Sequence, residues 1–300
     1  VIVYAFGLCV DERYLLPALV TLESLARVLP TADRRDAAVR VLTLDLTRQH
    51  AATMADLATR FGFGSFDLRW ARPAATAVMA DTAYITVTAW LRFQFTPAFV
   101  GRPYLIYVDA DTLVIDDIST PLDGLPADRL GLVTDEFAPT VGRGQALPRL
   151  THDRPELAGR PYFNGGMWWA PTAMLAAVRR GVRNALKTGR RYIFHNDQDA
   201  LNLWLLADGS VHAVPRRFNT FELARFLERS DWPHRYTPRS RTPNATDAAL
   251  LHFVGSAKPW LPSTPVTQHV RLYRNHMNAT LRQIQRLGDL SFDAPRWRRR

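Results

Sequence analysis

The sequence predicts an α/β fold, a mostly parallel central sheet with helices on both faces. Strand-like apolar runs alternate with stretches of helical periodicity through the first half of the chain. The run "PYLIYVDAD" stays apolar until it ends on Asp109 and Asp111, and ligands in open α/β sheets bind beyond the carboxyl ends of the strands. With 300 residues, 47% of them hydrophobic, the chain can bury one large core or two modest ones.

Taken in order, residues 1–10 read as a buried strand, and residues 13–29 as a helix with apolar spacing at Leu15, Leu19, Leu22, Leu25 and Leu29. Pro17 belongs in the first turn of that helix. "VRVLTLDL" is a strand, and Thr47 then caps a helix that Gly62 stops. "FDLRW" is a short strand, "TVTAWLRFQF" a helix, and "PYLIYVDAD" the next strand. Residues 134–162, rich in Pro, Gly and Arg, read as a long loop over a substrate. "NGGMWWAP" reads as a turn into a strand, and "PTAMLAAVRRG" as a helix with Gly181 past its end. "DQDALNLWLL" is a short helix with acidic residues in its first turn, and "ALLHFVG" is a strand. Residues 228–247 read as polar loop. Residues 266–287 form an amphipathic helix with Val266, Val270, Tyr273, Met277, Leu281 and Ile284 on one side, followed by a basic tail.

The net charge of +10 comes almost entirely from arginine, since the only lysines are Lys187 and Lys258. An arginine- and alanine-rich, lysine-poor composition reflects a GC-rich genome, and no nucleic-acid module pattern is present, so nucleic acid is excluded as a partner. Cys9 is the single cysteine, which rules out an internal disulfide framework and a cysteine-built metal cluster. No stretch approaches 18 uninterrupted apolar residues. The sequence begins at Val1, without an initiator methionine and already inside a strand-like run, which leaves room for a targeting segment upstream.

The chemistry concentrates at four places. Asp109 and Asp111 flank Ala110 at a strand end, where two oxygen ligands can reach one Mg²⁺, Ca²⁺ or Mn²⁺. His252, at another strand end, would tilt that choice toward Mn²⁺. Lys258 in "GSAKPW" sits near glycine backbone suited to phosphate. "FNGG" puts Asn164 beside glycines that admit a close approach, and "DQDALN" puts Asp197, Gln198 and Asp199 at a helix start. Asp135 ends a further apolar run, and Arg92 lies between Leu91 and Phe93. The bland readings are a solvated loop, a capped helix, a tight turn and a snorkelling arginine.

The motifs "YVDADTLV", "FNGGMWW", "HNDQDALN" and "LLHFVGSAKPW", in that order, resemble those of family eight glycosyltransferases, the group containing lipopolysaccharide galactosyltransferases and glycogenin. The resemblance implies a Rossmann-like nucleotide-diphosphosugar transferase domain of the GT-A type over residues 1–262; residues 263–300, a basic amphipathic helix and tail by their own pattern, lie outside it. It implies a retaining hexosyltransferase that uses a UDP-sugar, with Mn²⁺ (or Mg²⁺) held by Asp109, Asp111 and His252. Lys258 and Gly255 would contact the diphosphate, with Ala110 in the same donor loop, and Asp11 and Tyr14 the uracil. Arg92, Asp135, Asn164, Gly165, Asp197 and Gln198 would face the sugar, the last two as catalytic residues. Three departures stand out: Arg13 in place of a base-contacting Asn, Gly165-Gly166 in place of Ala-Gly or Ser-Gly, and Trp168-Trp169 in place of small aliphatics.

The acceptor expected is a glycan, a lipid-linked saccharide, a protein or a small metabolite. The expected setting is the bacterial cytoplasm; the C-terminal helix is read first as packing its apolar stripe on the catalytic domain, with contact to the inner membrane face as the alternative. A phosphohydrolase of the haloacid dehalogenase type also uses Asp-x-Asp, but it carries Thr or Val where this chain has Leu113, and its motif lies near the N-terminus. A nucleotidyltransferase needs an N-terminal glycine-rich loop, which "FGLCVDERY" is not. The apparently complete ligand set argues against a sugar-nucleotide binding module without turnover.

Overall fold

The computed structural model describes residues 2–71, 87–222 and 247–288. The strands are β1 (Tyr4–Cys9), β2 (Ala38–Thr43), β3 (Ser65–Trp70), β4 (Tyr104–Val108), β5 (Thr112–Val114), β6 (Leu130–Thr134), β7 (Phe163–Pro171), β8 (Val211–Ala213), β9 (Thr220–Phe221) and β10 (Leu250–His252). The helices are α1 (Leu15–Val28), α2 (Thr31–Asp36), α3 (Arg48–Arg60), α4 (Pro97–Val100), α5 (Pro148–Asp153), α6 (Leu175–Gly189), α7 (Asn196–Asp208) and α8 (Gln268–Arg286). Seven strands form the main sheet in the order β3-β2-β1-β4-β7-β6-β8, and β5-β10-β9 form a small second sheet. β7 alone runs antiparallel to its neighbours β4 and β6 in the main sheet.

Alternation along the central strands separates two cores. Phe6 and Leu8 of β1, Ile106 and Val108 of β4, and Met167 and Trp169 of β7 face α1, α3 and α8. Ala5 and Cys9, Leu105 and Tyr107, and Trp168 and Ala170 face α4, α6, α7 and the segment Val87–Gln94. The expected caps form as read. The Thr47 side chain accepts from His50 N at 3.1 Å, and Gly62 ends the α3 region at φ +85°. Pro17 lies in the first turn of α1.

Several expectations change. Val87–Gln94 winds as 3₁₀ turns, not an α-helix, and Thr88, Trp90, Leu91, Arg92 and Phe93 are all buried, so it has no solvent face for an amphipathic period to mark. Asn164 and Gly165 lie inside β7, which begins at Phe163 with no turn. Gly181 lies inside α6, because a Cβ there would collide with the Trp204 indole, so the glycine serves helix packing. The 134–162 segment carries α5 and a small core of its own, made of Ala138, Val141, Ala146, Leu147, Leu150 and Tyr162. The 228–247 loop lies outside the described residues except for Asp247, as does the tail beyond residue 288.

The apolar side of α8 is turned inward. Val270, Tyr273, Met277 and Ile284 join the core that holds α1, and the Tyr273 ring lies edge-on to Phe253 at 5.2 Å. Val266 stands before the helix and is exposed. His276 Nδ1 lies 2.5 Å from Glu23 Oε2 on α1. Arg274 donates to the carbonyls of Pro259 and Leu261, both at 2.9 Å, which leaves Arg271, Arg282 and Arg286 outward. No described helix is long and apolar enough to cross a membrane. Because α8 completes the core, Tyr273→Ala should cost about 3–5 kcal/mol, as emptying a large aromatic site does. A denaturant midpoint unchanged in that variant would show that the helix is a detachable appendage.

Candidate active site

The site forms where β4 ends and the small sheet begins. β4 delivers Asp109, and Asp109 N donates to Gly166 O of β7 at 2.8 Å, which fixes the start of the turn. The chain then enters β5, which pairs antiparallel with β10 so that His252 stands opposite Thr112. Phe253 N donates to Asp111 O at 2.9 Å and extends that pairing. The register therefore brings a histidine 141 positions downstream of Asp111 beside both aspartates. His252 Nε2 lies 3.3 Å from Asp111 Oδ1 and 4.0 Å from Asp109 Oδ2, and one ligand atom from each residue falls within 4.8 Å of the others.

Two cations balance the two carboxylates. Lys258 donates to Asp111 Oδ2 and, at 2.8 Å, to Phe253 O. Arg92 reaches Asp109 Oδ1 at 3.0 Å and donates to Gly165 O. Burial by itself would raise the Asp111 carboxyl, but Lys258 and His252 outweigh it and hold the group well below the usual carboxylate range. Asp109 moves the other way. Burial raises it, Arg92 opposes, and the neighbouring Asp111 charge adds to the rise. The adjacent Tyr107 hydroxyl donates to Asp109 Oδ1 at 2.6 Å.

A cavity of about 990 Å³ opens over this edge. Of the expected site residues, Asp11, Tyr14, Arg92, Asp109, Ala110, Asp111, Asp135, Asn164, Asp197, Gln198, His252, Gly255 and Lys258 all line it. Gly165 is not among the lining residues; its N–H donates to Gln198 Oε1 at 3.1 Å and its carbonyl accepts from Arg92. Asp11 caps the turn after β1, accepting from Arg13 N and Tyr14 N at 3.0 and 3.1 Å. The Tyr14 ring lies edge-on to Trp260 at 5.6 Å. Gly255 takes φ +75°, which explains the glycine. Trp168 and Trp169 point into the two cores and not into the cavity, so that departure concerns packing and not sugar contact.

The pair Gly165-Gly166 has a structural cause different from ligand approach. A Cβ on Gly166 would lie 2.7 Å from Asp109 Oδ2 and closer still to the His252 ring. The missing side chain is what lets an imidazole and a carboxylate converge over β7. Two carboxylates and one imidazole with a free nitrogen suit a borderline divalent cation, and the residues fit such an ion.

Some functional neighbours carry no sequence signal. Asn219 Oδ1 lies 2.9 Å from His252 Nδ1, and Asn219 Nδ2 donates to Asn164 Oδ1 at 2.9 Å. Tyr162 donates to Asp199 Oδ1 at 2.6 Å and accepts from Gln198 Nε2 at 3.3 Å. His195 lines the cavity one position before Asn196, whose φ of 45° opens α7. No alternating or helical pattern marks Asn219 or Tyr162, because the pairing of β9 with β10 and the contact with α7 set their partners, whereas His195 stands in the motif "HNDQDALN".

The mixed sheet with a carboxylate and imidazole cluster at the ends of β4 and β10 matches the fold of GT-A-type glycosyltransferases. The family described as Glycosyl transferase family 8 matches residues 6–264, and the chain belongs to that family. Lipopolysaccharide glucosyltransferase WaaO of Escherichia coli (strain K12) is 27% identical over 190 residues, which is 61% of this chain and 51% of that protein. The matched stretch thus spans about half the length of that curated relative. Among solved structures, galactosyltransferase LgtC in complex with donor and acceptor sugar analogues matches with a TM-score of 0.70 at 22% identity, covering 92% of this chain and 95% of that one. Glycosyltransferase GlyE of Streptococcus pneumoniae TIGR4 matches at 0.63 and 15% identity, over 94% of this chain and 63% of that one. Mouse xyloside xylosyltransferase 1 matches at 0.58 and 13% identity, over 89% and 100%. At such identities these structural likenesses are likenesses of fold.

Gly166→Ala should leave the fold intact and weaken divalent manganese binding by roughly 10–100-fold, the range for disturbing the support of a metal ligand. Titration of the purified variant with Mn²⁺ checks this. Native affinity in Gly166→Ala would mean the ligands do not converge over β7.

Proposed function

We propose that the protein transfers a hexose, galactose or glucose, from a UDP-sugar to an acceptor hydroxyl with retention of configuration, dependent on Mn²⁺ with Mg²⁺ as a substitute. The observation that carries this reading is the convergence of Asp109, Asp111 and His252 within 4.8 Å on the lining of the cavity. Those three residues would hold the cation, which when bound supplies the positive charge that neutralises a departing diphosphate. Support for hexose and saccharide chemistry comes from the relatives, one a lipopolysaccharide glucosyltransferase and another a galactosyltransferase.

The remaining residues divide the donor between them. Asp11 has one oxygen engaged in its turn, which leaves the other to accept the uracil N–H, with Tyr14 as the adjoining wall. Ala110 lies between the two aspartates beneath the nucleotide. Lys258 and the turn at Gly255 serve the diphosphate. Arg92, Asp135, Asn164, Gly165, Asp197 and Gln198 form the sugar side. Asp197 Oδ2 lies 3.1 Å from Arg92 Nε, whose N–H is donated to Ala89 O, and this buried ion pair fixes the Asp197 carboxylate at the sugar side.

Gln198 is saturated. Its Oε1 accepts from Asn164 Nδ2 and Gly165 N, and its Nε2 donates to Asp135 Oδ2 and Tyr162 OH. An oxygen with both lone pairs engaged is a poor nucleophile, so the proposed role of Gln198 is to hold the anomeric carbon in place beside its dipole. The bond from that carbon to the UDP oxygen then breaks, the acceptor oxygen bonds from the same face, and its proton passes to the departing diphosphate oxygen.

UDP release in a donor screen, with and without Mn²⁺, tests the class. Asp111→Asn should abolish metal-dependent transfer, and Lys258→Ala should weaken donor use by roughly 2–4 kcal/mol, the range for losing one partner of a buried charge-assisted bond. Undiminished Mn²⁺-dependent turnover in Asp111→Asn would sink the proposal. Contact with an anionic inner-membrane face would rest on Arg271, Arg282 and Arg286, each worth about 1 kcal/mol near the lipid. Vesicle co-sedimentation should then be salt-sensitive and confined to anionic lipid; equal recovery with neutral lipid would refute it.

A further inference from the structure

We infer that Asn219 is a positioning residue for the metal centre: its carboxamide accepts from His252 Nδ1–H and so turns Nε2, the other ring nitrogen, toward the two aspartates. The side chain is 1% exposed and does not line the cavity, so Asn219 touches no ligand and acts through the imidazole. Its place follows from register. β9 pairs parallel with β10, Thr220 with Leu251 and Phe221 with His252, and Asn219 is the residue just before β9. The Phe221 ring lies edge-on to His252 at 5.5 Å and bounds the imidazole on that side.

The tautomer follows from groups whose hydrogen-bonding roles cannot change. Gly166 N–H, which can only donate, lies 2.9 Å from Asn164 Oδ1. The other end of the same carboxamide, Asn164 Nδ2, faces Asp135 Oδ2 at 3.2 Å and Gln198 Oε1 at 2.9 Å, which accept. Asn164 is therefore oriented at both ends. The group of Asn219 that meets Asn164 Oδ1 at 2.9 Å must then be its NH₂, which turns its own Oδ1 toward His252 Nδ1, also at 2.9 Å. A carbonyl oxygen can only accept, so Nδ1 carries the hydrogen and Nε2 is the nitrogen left for a metal to take. That nitrogen is the one 3.3 Å from Asp111 and 4.0 Å from Asp109. Rotating either carboxamide would set acceptor against acceptor at a buried position. A backbone amide of β7 thus dictates, through two asparagines, which imidazole nitrogen can bind a metal, and it does so through the same Asn164 that holds Gln198.

The inference rests on the metal reading above, and the test separates the two. Free Mn²⁺ is titrated against the purified, nucleotide-free protein and read by electron paramagnetic resonance, with nitrogen modulation of the bound ion reporting the imidazole. Asn219→Leu removes both hydrogen bonds and should weaken Mn²⁺ binding by roughly 10–100-fold, with loss of the nitrogen modulation. Asn219→Asp keeps an acceptor for Nδ1–H but sets an oxygen against Asn164 Oδ1. It should bind Mn²⁺ close to the wild-type affinity while melting at a lower temperature. Wild-type protein that binds no Mn²⁺ defeats the metal reading itself. Native affinity in Asn219→Leu, or Asn219→Asp as weak as Asn219→Leu, defeats the role of Asn219 alone. Should Asn219→Leu not fold, ¹⁵N-histidine resonances of the wild-type protein decide: a hydrogen on Nδ1 supports the inference, and an Nδ1 without one overturns it.

Discussion

Two buried carboxylates one residue apart repel each other, and much of the molecule is arranged to make that repulsion tolerable. Each aspartate has its own cation, Lys258 for Asp111 and Arg92 for Asp109. Each cation is anchored on backbone carbonyls, those of Phe253 and Gly165. Those carbonyls belong to strand ends or the turns after them, so sheet geometry sets the electrostatics of the site. The 3₁₀ turns of Val87–Gln94 make sense in this light. They bury an arginine beside an apolar core and aim it at Asp109 and Asp197, which match its charge.

The balance between the aspartates is unequal. Lys258 and His252 together hold Asp111 ionised, while burial and the charge of Asp111 push Asp109 toward its neutral form. The pair is thus two environments, and not one doubled ligand. Tyr107 adds a short hydrogen bond to Asp109, and Arg92 lies over the Tyr107 ring at 4.9 Å, so the weaker carboxylate has the more elaborate support.

The parts of this arrangement that depend on local pattern could be read from the residues. The apolar run ending in Asp-x-Asp, the Thr47 cap with Gly62 behind α3, the first-turn Pro17 and the strand-end His252 all follow from spacing and residue type. What depends on register or close approach could not. The glycines at 165 and 166 read as room for a ligand and Gly181 as a helix stop, whereas Gly166 makes room for His252 and Gly181 for Trp204. Asn219 stands in an unremarkable arginine-rich stretch, and only the pairing of β9 with β10 reveals its neighbour. The helix at the C-terminus shows the same limit. Its stripe was visible, but whether it met lipid or protein depended on whether α1 offered a complementary surface, and α1 does.

The segment after β6 has a separate significance. It wraps Val141, Ala146, Leu147 and Leu150 around Tyr162 and Ala138, and Tyr192 with Leu203 and Leu206 of α7 packs against that small core. The turn between Val141 and Ala146 carries Arg143, Gly144 and Gln145 to the cavity rim and is closed by its own backbone bonds, Arg143 N to Thr140 O and Gly142 N to Ala146 O. A rim built on its own turn and on α7 stands apart from the strand ends, so the surface that meets a ligand's outer parts is separate from the charge balance beneath it. Tyr162 is the joint, since it belongs to the small core and also bonds to Asp199 and Gln198, which ties the wall to the floor.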